Sequence, residues 1–320
     1  MMNHFLAILL AYIIDFIVGD PKQWPHPVKW FGKFIHYFDG KLNKGSYRKQ
    51  KGILMVVLII CTVFVLSMVI TFVSYQLHPV FGIIVEATLI ATTIAQTSLR
   101  EAALEVVEPL KKQDIHEARN KLSYIVGRDT EHLSERELIR GTVETVAENT
   151  SDGITAPLFW SFLGGAPLAL VYRAVNTCDS MVGYRNDKYE NFGWASAKLD
   201  DILNWIPARL TGLIMMIVMR PQESSLRAAL SILFRDASKH HSPNSGWGEA
   251  AIAAILGVQL GGTNTYQGKK SQSPLIGEPS TNLQVKHILK TITIMHRTVF
   301  LFLVFMLIGG MIIELATTWI

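Results

Sequence analysis

One uninterrupted apolar run limits what this chain can fold into more than any other feature. No Asp, Glu, Lys or Arg occurs from Gly52 to Val85, a run of 34 residues, whereas a helix needs only about 20 apolar residues to cross a bilayer. His78 and Pro79 interrupt the run, and proline cannot continue a regular helix. The two parts therefore predict a helical hairpin with a very short turn.

Other apolar segments extend the membrane-embedded part of the chain. Residues 4–18 and 298–320 predict two further spans. Residues 154–172 and 202–219 are also apolar, but the first contains GGAP and the second PAR, so each either crosses the bilayer or is re-entrant. No strand-like alternation stands out. The sequence predicts an all-α, polytopic integral membrane protein with about four to six membrane-embedded helices and cytoplasmic helical segments.

Composition excludes several classes of protein. Charged residues make up 18% of the chain, against roughly 25% in soluble domains, which argues against an ordinary soluble enzyme and against disorder. The two cysteines cannot form a disulfide framework, and Cys61 lies inside the apolar run, so we expect no bond to Cys178. The net charge of +4 does not indicate nucleic-acid binding and is typical of membrane proteins with basic cytoplasmic loops.

The distribution of Lys and Arg predicts which segments face the cytoplasm. These residues are enriched in cytoplasmic loops, and three segments hold eight, eight and nine of them, respectively: 20–51, 100–150 and 220–297. None precedes the first span, so we expect the N-terminus outside. Residues 176–201 lie outside if both flanking apolar segments cross the bilayer, and inside if both are re-entrant. The sequence leaves these alternatives open.

We expect one membrane-embedded catalytic domain over residues 1–320. Residues 100–152 predict a cytoplasmic helical segment inside it. Residues 220–297 predict a second cytoplasmic segment, with a loop at 263–285, where Gly, Ser, Gln, Asn and Lys are frequent.

Apolar spacing and capping residues locate two helices within the first cytoplasmic segment. The apolar positions of residues 99–126 recur with a helical period, and Pro109 predicts a kink. Ser134 and Glu137 have the spacing of a capping box, which predicts a second helix that ends near Glu148.

Carboxylates gather at the end of this second helix. Glu144 and Glu148 are four residues apart and therefore share a helix face, where like charges repel, and Asp152 follows directly before an apolar segment. Hard oxygen ligands at this density suit Mg²⁺. The alternative is a solvated helix face that is partly neutralised by Arg140. Ionisable groups at a membrane boundary favour the metal hypothesis.

A second polar cluster occupies residues 172–201. Guanidinium groups bind phosphate in a bidentate manner, and neighbouring acidic groups would hold a bridging metal. The candidates for phosphate contact are Arg173, Asn176, Arg185 and Lys198, and those for metal binding are Asp179, Asp200 and Asp201. Arg209 follows soon after and could face the same site. The alternative is a charged loop beside the membrane.

Two adjacent histidines begin a third polar motif. His240 and His241 point to different helix faces, which argues against a shared metal, but either could act as a general base or contact a phosphate. The residues around Asn244 carry a strong turn signal, and we expect Asn244 to be a further substrate or phosphate contact. The alternative is a surface turn between helices.

Residues 19–35 differ from the other motifs in their prolines, tryptophans and lysines. The prolines argue against a regular helix, whereas tryptophan and lysine are typical of an anchor at the membrane interface. Asp20 lies at the mouth of the first span.

Together these stretches resemble the adenosylcobinamide-phosphate synthase family of cobalamin biosynthesis, the CobD/CbiB type. The matching blocks cover most of the chain in order: GDP with WPHPV, RGTVETVAENTSDGITAPLFW, YRAVNTCDSMVGYR, FGWASAKLDDILNWIPARLTG and HHSPNSGWGEAA. At Cys178 the family resemblance would favour a bulky aliphatic residue, which agrees with a cysteine that takes no part in catalysis.

The resemblance implies an integral membrane enzyme that joins adenosylcobyric acid to aminopropanol or its phosphate through an amide bond, at the expense of ATP. ATP would convert the carboxylate into an acyl phosphate, and Mg²⁺ and arginines would stabilise the transferring phosphoryl group. We expect the catalytic residues to be Glu144, Glu148, Asp179 and His241. We expect the partners to be the corrinoid, ATP, aminopropanol phosphate, the lipid bilayer and other membrane-bound enzymes of cobalamin assembly, with no nucleic acid.

Two other functions fit the residues without this resemblance. An intramembrane prenyl- or phospho-alcohol transferase also uses acidic clusters, but it would show tighter pairs of Asp repeats than Asp179, Asp187 and Asp200-Asp201 provide. A non-enzymatic sensor or permease shares this hydropathy, but a transporter would place its charges within the spans rather than at their ends.

Overall fold

A computed structural model describes residues 2–21, 26–184 and 186–318. Within these residues the chain forms thirteen α-helices and one β-hairpin. In chain order these are α1 Met2–Val18, α2 Pro27–Leu42, α3 Arg48–Leu77, α4 Pro79–Ala91, α5 Gln96–Lys111, α6 Ile115–Ser123, α7 Glu135–Thr150, α8 Ala156–Val182, α9 Trp194–Leu203, α10 Trp205–Val218, α11 Leu226–Asp236, α12 Ser245–Leu256, β1 Leu260–Tyr266, β2 Lys269–Ile276 and α13 Val285–Thr318.

The chain divides into two compact units, and neither is continuous in sequence. Unit 1 comprises Met1–Ala95, Ala156–Asn204 and Leu303–Ile320. Unit 2 comprises Gln96–Thr155 and Trp205–Phe302.

Several helices have the length and composition of membrane spans. Among the described residues, four helical stretches qualify: Arg48–Leu77, Pro79–Lys111, Glu135–Val182 and Val285–Ile312. The bent pair α9–α10 would be a fifth if it forms one span. The helix α1 is apolar but shorter. The predicted fold class, an all-α polytopic membrane protein, is confirmed.

The helical hairpin of α3 and α4 forms as predicted. α3 ends at Leu77, and His78 caps α4 because its Nδ1 accepts a hydrogen bond from Val80 N at 3.2 Å. Pro79 is the first residue of α4, where its missing N–H leaves no partner unsatisfied.

The GGAP segment breaks α8 internally. Gly164 and Gly165 have non-helical backbone angles, and Gly165 has a φ of +66°. A side chain at Gly165 would meet the carboxylate of Glu86. Glycine is therefore required at this position by both conformation and space.

The core of unit 1 lies between α2, α3 and α8. The buried residues Phe31, Ile35, Met55, Ala174 and Cys178 belong to it. Both cysteines are free and Cys178 is buried, as expected for a cysteine with no catalytic role. The expectation that residues 19–35 avoid a regular helix is wrong from Pro27 onward, because a proline in the first turn of α2 is compatible with helix geometry.

In unit 2, the predicted helices of the 100–152 segment form with one difference. The capping box of Ser134 and Glu137 starts α7 as expected. Pro109 lies inside α5, and the chain breaks later, before Asp114, which caps α6 by accepting a hydrogen bond from Glu117 N at 3.0 Å.

The predicted loop at 263–285 is wrong for its first half, where β1 and β2 pair in antiparallel fashion. Gln267 and Gly268 both have positive φ, as a two-residue hairpin turn requires. The strands lack apolar alternation because their buried apolar residues, Leu260 and Ile276, form a single pair at one end. The other buried positions of β1 hold Gly261 and Asn264, and Asn264 accepts hydrogen bonds from Arg128 and Arg140.

Candidate functional site

In unit 1, α8 and α9 bring together what we call the α8–α9 cluster: Arg173, Asn176, Asp179, Asp200 and Asn204. The first three recur at intervals of three residues, so they share one face of α8. Asp200 comes from the last turn of α9, and Asn204 is its C-cap. The structure thus unites four of the residues that the sequence predicts for phosphate and metal binding.

Asp200 is the buried centre of this cluster. Its Oδ1 accepts a hydrogen bond from Asn176 Nδ2 at 3.2 Å, and its Oδ2 accepts one from Asn204 Nδ2 at 3.0 Å. Asn204 in turn accepts a hydrogen bond from the hydroxyl of Tyr172 at 2.8 Å. None of the salt bridges between described residues includes Asp200, although a buried carboxylate without a counter-charge is energetically unfavourable. The position favours a cation as the missing partner.

Arg173 and Asp179 flank Asp200 on the α8 side. Arg173 Nη1 donates to Asn176 Oδ1 at 3.5 Å, and within the described residues its buried Nε has no hydrogen-bond partner. Asp179 is half-buried and lies close enough to Asp200 to interact with it electrostatically. The arrangement offers a guanidinium group and two carboxylates in one place.

The other predicted residues of this region have different outcomes. Lys198 and Asp201 form a pair with each other at 3.6 Å on α9, and the lysine is exposed. Such a surface pair contributes little to stability. Arg185 lies outside the described residues, so its predicted phosphate contact stays a prediction.

In unit 2, Glu144 is part of an ion-pair network that anchors the β-hairpin to α7. Its Oε2 accepts a hydrogen bond from Arg128 Nη2 at 2.6 Å, and its Oε1 accepts one from Gly261 N at 2.8 Å. Arg140 Nε lies 3.8 Å from the same carboxylate. Burial alone would lower the pKa of Arg128, but the charge and hydrogen bond of Glu144 raise it above the ordinary value.

Both arginines of this network also hold β1. Arg128 Nη1 and Arg140 Nη2 donate to Asn264 Oδ1 at 2.8 and 2.9 Å, and Arg140 donates to the carbonyls of Gly261 and Thr263. A carboxylate neutralised in this way does not fit the predicted role of Glu144 as a magnesium ligand. Sequence reasoning missed Arg128, because nothing in the chain links it to Glu144.

Glu148 and Glu249 form a second polar group between α7 and α12. Glu148 Oε1 accepts a hydrogen bond from Ser245 Oγ at 2.8 Å. Glu249 is buried, and burial together with the charges of Glu144 and Glu148 raises its pKa well above the ordinary value. An acidic residue inside the apolar run of α12 is the sequence signal that could have identified Glu249.

Of the two histidines, His240 is the one near this buried acid. His240 Nε2 lies 3.9 Å from Glu249 Oε1, and its Nδ1 accepts a hydrogen bond from Ser242 N at 3.1 Å. His241, the predicted catalytic residue, is exposed and contacts the His240 ring. The structure therefore places His240, and not His241, beside Glu249, and the catalytic role of His241 stays a prediction.

Arg209 lies between two indole rings of unit 2. Its guanidinium carbon is 4.2 Å from the centre of the Trp205 ring and 5.2 Å from that of Trp247. It donates to Trp205 O at 2.7 Å and to the buried Asn244 Oδ1 at 3.4 Å. Cation–π contacts of this kind favour arginine over lysine.

Asp152 belongs to a π-helical segment, Ser151–Thr155, which follows α7. Such insertions often occur at functional sites. Among the described residues, however, no group of three or more His, Cys, Asp or Glu side chains is arranged to hold a metal ion. The predicted element of Glu144, Glu148 and Asp152 therefore does not form a ready three-carboxylate site.

Two cavities border the hairpin of unit 2. The larger, of about 860 Å³, is lined in part by Arg128, Asp129, His132 and Lys270. The smaller, of about 370 Å³, is lined in part by Arg140. Both volumes fall within the range of small-molecule sites, roughly 300–1,000 Å³. Asp129 fixes the hairpin tip because it accepts hydrogen bonds from the backbone N–H groups at its turn.

Comparison with known proteins assigns the chain to a family. The sequence model of the CobD/Cbib protein family matches residues 8–295. A cobalamin biosynthesis protein CobD from Halalkalibacterium halodurans is 55% identical over 311 residues, which cover 97% of this chain and 98% of that protein. A cobalamin biosynthesis protein CbiB from Salmonella typhimurium is 46% identical over 295 residues, which cover 91% of this chain and 92% of that protein. No solved structure matches. The chain belongs to the CobD/CbiB family of cobalamin biosynthesis proteins.

Proposed function

We propose that this chain catalyses the ATP-dependent ligation of adenosylcobyric acid with (R)-1-aminopropan-2-ol phosphate, or with aminopropanol itself, to give adenosylcobinamide phosphate or adenosylcobinamide. Family membership supports the place in cobalamin biosynthesis. The observation that carries the chemistry is the α8–α9 cluster, where the buried Asp200 has two amide partners and lies near Asp179 and Arg173.

The reaction needs activation of a carboxylate before an amide can form. An oxygen of the corrinoid carboxylate attacks the γ-phosphorus of ATP, which gives an acyl phosphate and ADP. The amine then attacks the acyl carbon, inorganic phosphate leaves, and a base takes the proton that the nitrogen loses. The protein must therefore stabilise phosphoryl charge in one step and accept a proton in the other.

Asp179 and Asp200 fit a magnesium ion better than Glu144 does. Mg²⁺ in nucleotide sites is bound by one or two carboxylates together with substrate phosphates, so two carboxylates suffice. Asp200 is buried without a cationic partner in any salt bridge between described residues, whereas Glu144 already pairs with Arg128. Bound there, Mg²⁺ would neutralise charge on the phosphates of ATP.

Each unit contributes one arginine that we propose as a phosphate contact, Arg173 in unit 1 and Arg209 in unit 2. Arg173 carries its guanidinium into the α8–α9 cluster and donates to Asn176, and Arg209 is held in one orientation by two indole rings. A planar guanidinium with a fixed orientation binds phosphate oxygens with two parallel hydrogen bonds. Asn176 orients Asp200, and Asn244 supports Arg209.

Glu148 is the proposed proton acceptor for the amine. It is half-buried at the end of α7, and its Oε1 accepts a hydrogen bond from Ser245 Oγ. A carboxylate is one of the side chains that can accept a proton in general-base catalysis. We place the reaction in a multi-pass protein of the cell membrane with its active site on the cytoplasmic side, where ATP is present.

The test uses purified full-length protein reconstituted in nanodiscs with ATP, Mg²⁺ and adenosylcobyric acid. ADP release that requires both the corrinoid and an amine supports the ligase, and parallel assays with aminopropanol and its phosphate identify the substrate. The proposal is refuted if ADP is released without the corrinoid and the amine, or if no ADP is released under any condition.

A matched pair of variants tests the assignment of Asp200. Asp200→Asn should lower the rate at least about a hundredfold, as expected when a metal-binding carboxylate is removed. Glu190→Gln, which changes an exposed residue of the same unit, should not change it. Equal rates for the two variants would exclude Asp200 from the site while leaving the ligase activity itself intact.

A further inference from the structure

The helix α2 of unit 1 presents two different faces. One face buries Phe31 and Ile35 in the core between α3 and α8. The adjacent face carries three aromatic side chains at helical spacing, Trp30, Phe34 and Tyr37, whose exposed fractions are 54%, 51% and 59%. Large aromatic groups with this exposure need a partner that can cover them.

Basic residues surround this aromatic stripe. Seven Lys or Arg side chains lie between Pro27 and Lys51, and Asp39 is the single acidic residue there. Lys33 and Lys41 are exposed on α2 itself, and the ammonium group of Lys41 lies 5.8 Å from the centre of the Tyr37 ring. The outer surface is therefore apolar in the middle and positive at its edges.

The one acidic group is neutralised from within the protein. Asp39 accepts hydrogen bonds from Asn43 at 2.9 Å and from the Tyr189 hydroxyl at 3.1 Å, and it lies 3.1 Å from Lys188 Nζ. Burial alone would raise the pKa of Asp39, but these partners lower it below the ordinary value. Asp39 thus stays ionised and is paired inward, so it does not offset the outward positive charge.

The helix that follows α2 is a candidate membrane span. α3 begins at Arg48, close after the end of α2, and it is a candidate span with exposed apolar side chains in its first turns, including Ile53 and Leu54. Only residues 43–47 separate the end of α2 from this candidate span. Aromatic side chains and lysines on one helix face are the pattern of helices that lie in this interface.

We propose that the α2 outer face, formed by Trp30, Phe34 and Tyr37 with Lys33 and Lys41, binds the anionic lipid headgroups of the membrane. The rings insert at the boundary of headgroups and acyl chains, and the ammonium groups pair with lipid phosphates. A second copy of this chain is a poor partner, since a two-fold contact would bring the same positive charges together. The buried face of α2 packs on α8 next to Ala174 and Cys178.

Native mass spectrometry of the full-length protein tests the lipid preference. Protein released from bilayers of phosphatidylcholine mixed with phosphatidylglycerol should retain phosphatidylglycerol preferentially. The double variant Lys33→Gln/Lys41→Gln should lose this preference by about tenfold or more at low salt, because each lysine near an anionic surface contributes about fivefold in affinity. The control variant Lys269→Gln/Lys270→Gln removes the same charge from the hairpin of unit 2 and should retain the preference.

A spin label at Phe34→Cys, with Cys61 and Cys178 replaced, tests the position independently. Collisions with oxygen, which partitions into lipid, should exceed those with a water-soluble nickel reagent. Equal lipid preference in the two double variants, or a label at Phe34→Cys that collides mainly with the nickel reagent, would overturn the proposal. Dipolar coupling between labels of two copies would do so as well, because it would place a second chain on this face.

Discussion

Replacing Glu144 by Gln is the sharpest test of the ion-pair network that anchors the β-hairpin to α7. The substitution keeps the shape of the side chain but removes the charge that neutralises Arg128 at 2.6 Å. The glutamine amide has one oxygen for the two donors that Glu144 satisfies. If the oxygen accepts from Gly261 N, the NH2 group faces the Arg128 guanidinium, donor against donor; if the oxygen accepts from Arg128, the NH2 group faces the N–H of Gly261.

Glu144→Gln replaces a charged side chain by an uncharged one of similar shape, and we expect a large loss of stability. Both side chains of the Glu144–Arg128 pair are about nine-tenths buried or more, and removing one partner of such a pair costs about 3–5 kcal/mol. Arg128 keeps its hydrogen bond to Asn264, which favours the lower end, about 3 kcal/mol. Glu108→Gln is the control: its pair with Lys111 is exposed on both sides and contributes at most about 1 kcal/mol.

Hydrogen exchange of the protein in nanodiscs measures the effect where it arises. A local loss of about 3 kcal/mol corresponds to amide exchange about a hundredfold faster in β1, around Gly261 and Asn264. Exchange in α2 and α3 should not change. If Glu144→Gln left hairpin exchange as it is but abolished ligation in a manner that high Mg²⁺ rescued, the anchoring role would be refuted and the metal role expected from sequence would be supported.

Three further predictions follow from the structure. Arg209→Lys should raise the KM for ATP or the phosphorylated amine about tenfold, while Arg227→Lys, an exposed control, leaves it unchanged. Glu249→Gln should stabilise the protein at neutral pH. Because the pKa of Glu249 is higher in the folded than in the unfolded protein, the wild-type protein loses stability as the pH rises from the unfolded-state pKa to the folded-state pKa. The melting temperature of Glu249→Gln should not show this loss in the same pH range. Glu190→Cys, with Cys61 and Cys178 replaced, should resist an impermeant thiol reagent on intact cells; labelling would place residues 176–201 outside.

The membrane-embedded helices were predictable because their signals are local. An apolar run, a proline break or a pair of glycines acts on the residues beside it, so the hairpin at His78 and the break at Gly164 could be read directly from the sequence. The capping box of Ser134 was predictable for the same reason. The boundaries of the two units were not, because each unit is assembled from segments far apart in the chain.

The β-hairpin shows why a polar element escapes such reasoning. Its buried apolar residues are confined to the pair of Leu260 and Ile276 at one end, and the other buried positions of β1 hold Gly261 and Asn264. Apolar periodicity therefore gives no signal. What stabilises it is a set of hydrogen bonds from Arg128 and Arg140, which precede it by more than a hundred residues. Only the turn at Gln267 and Gly268 left a trace in the sequence.

The contrast between Glu144 and Asp200 shows what separates a structural carboxylate from a candidate ligand. Sequence alone made both of them candidate metal ligands, since both lie in acidic clusters near apolar segments. Glu144 is buried against Arg128, so its charge is already balanced and a cation would compete with an existing ion pair. Asp200 is buried against two neutral amides and near the like charge of Asp179, so a cation would relieve an electrostatic cost rather than add one. Binding of Mg²⁺ with its nucleotide should therefore stabilise the wild-type protein to heat, as ligands that bind only the folded state do, and Asp200→Asn should lose that shift while Glu144→Gln retains it. A Mg²⁺-dependent shift that survives in Asp200→Asn would move the metal to other residues.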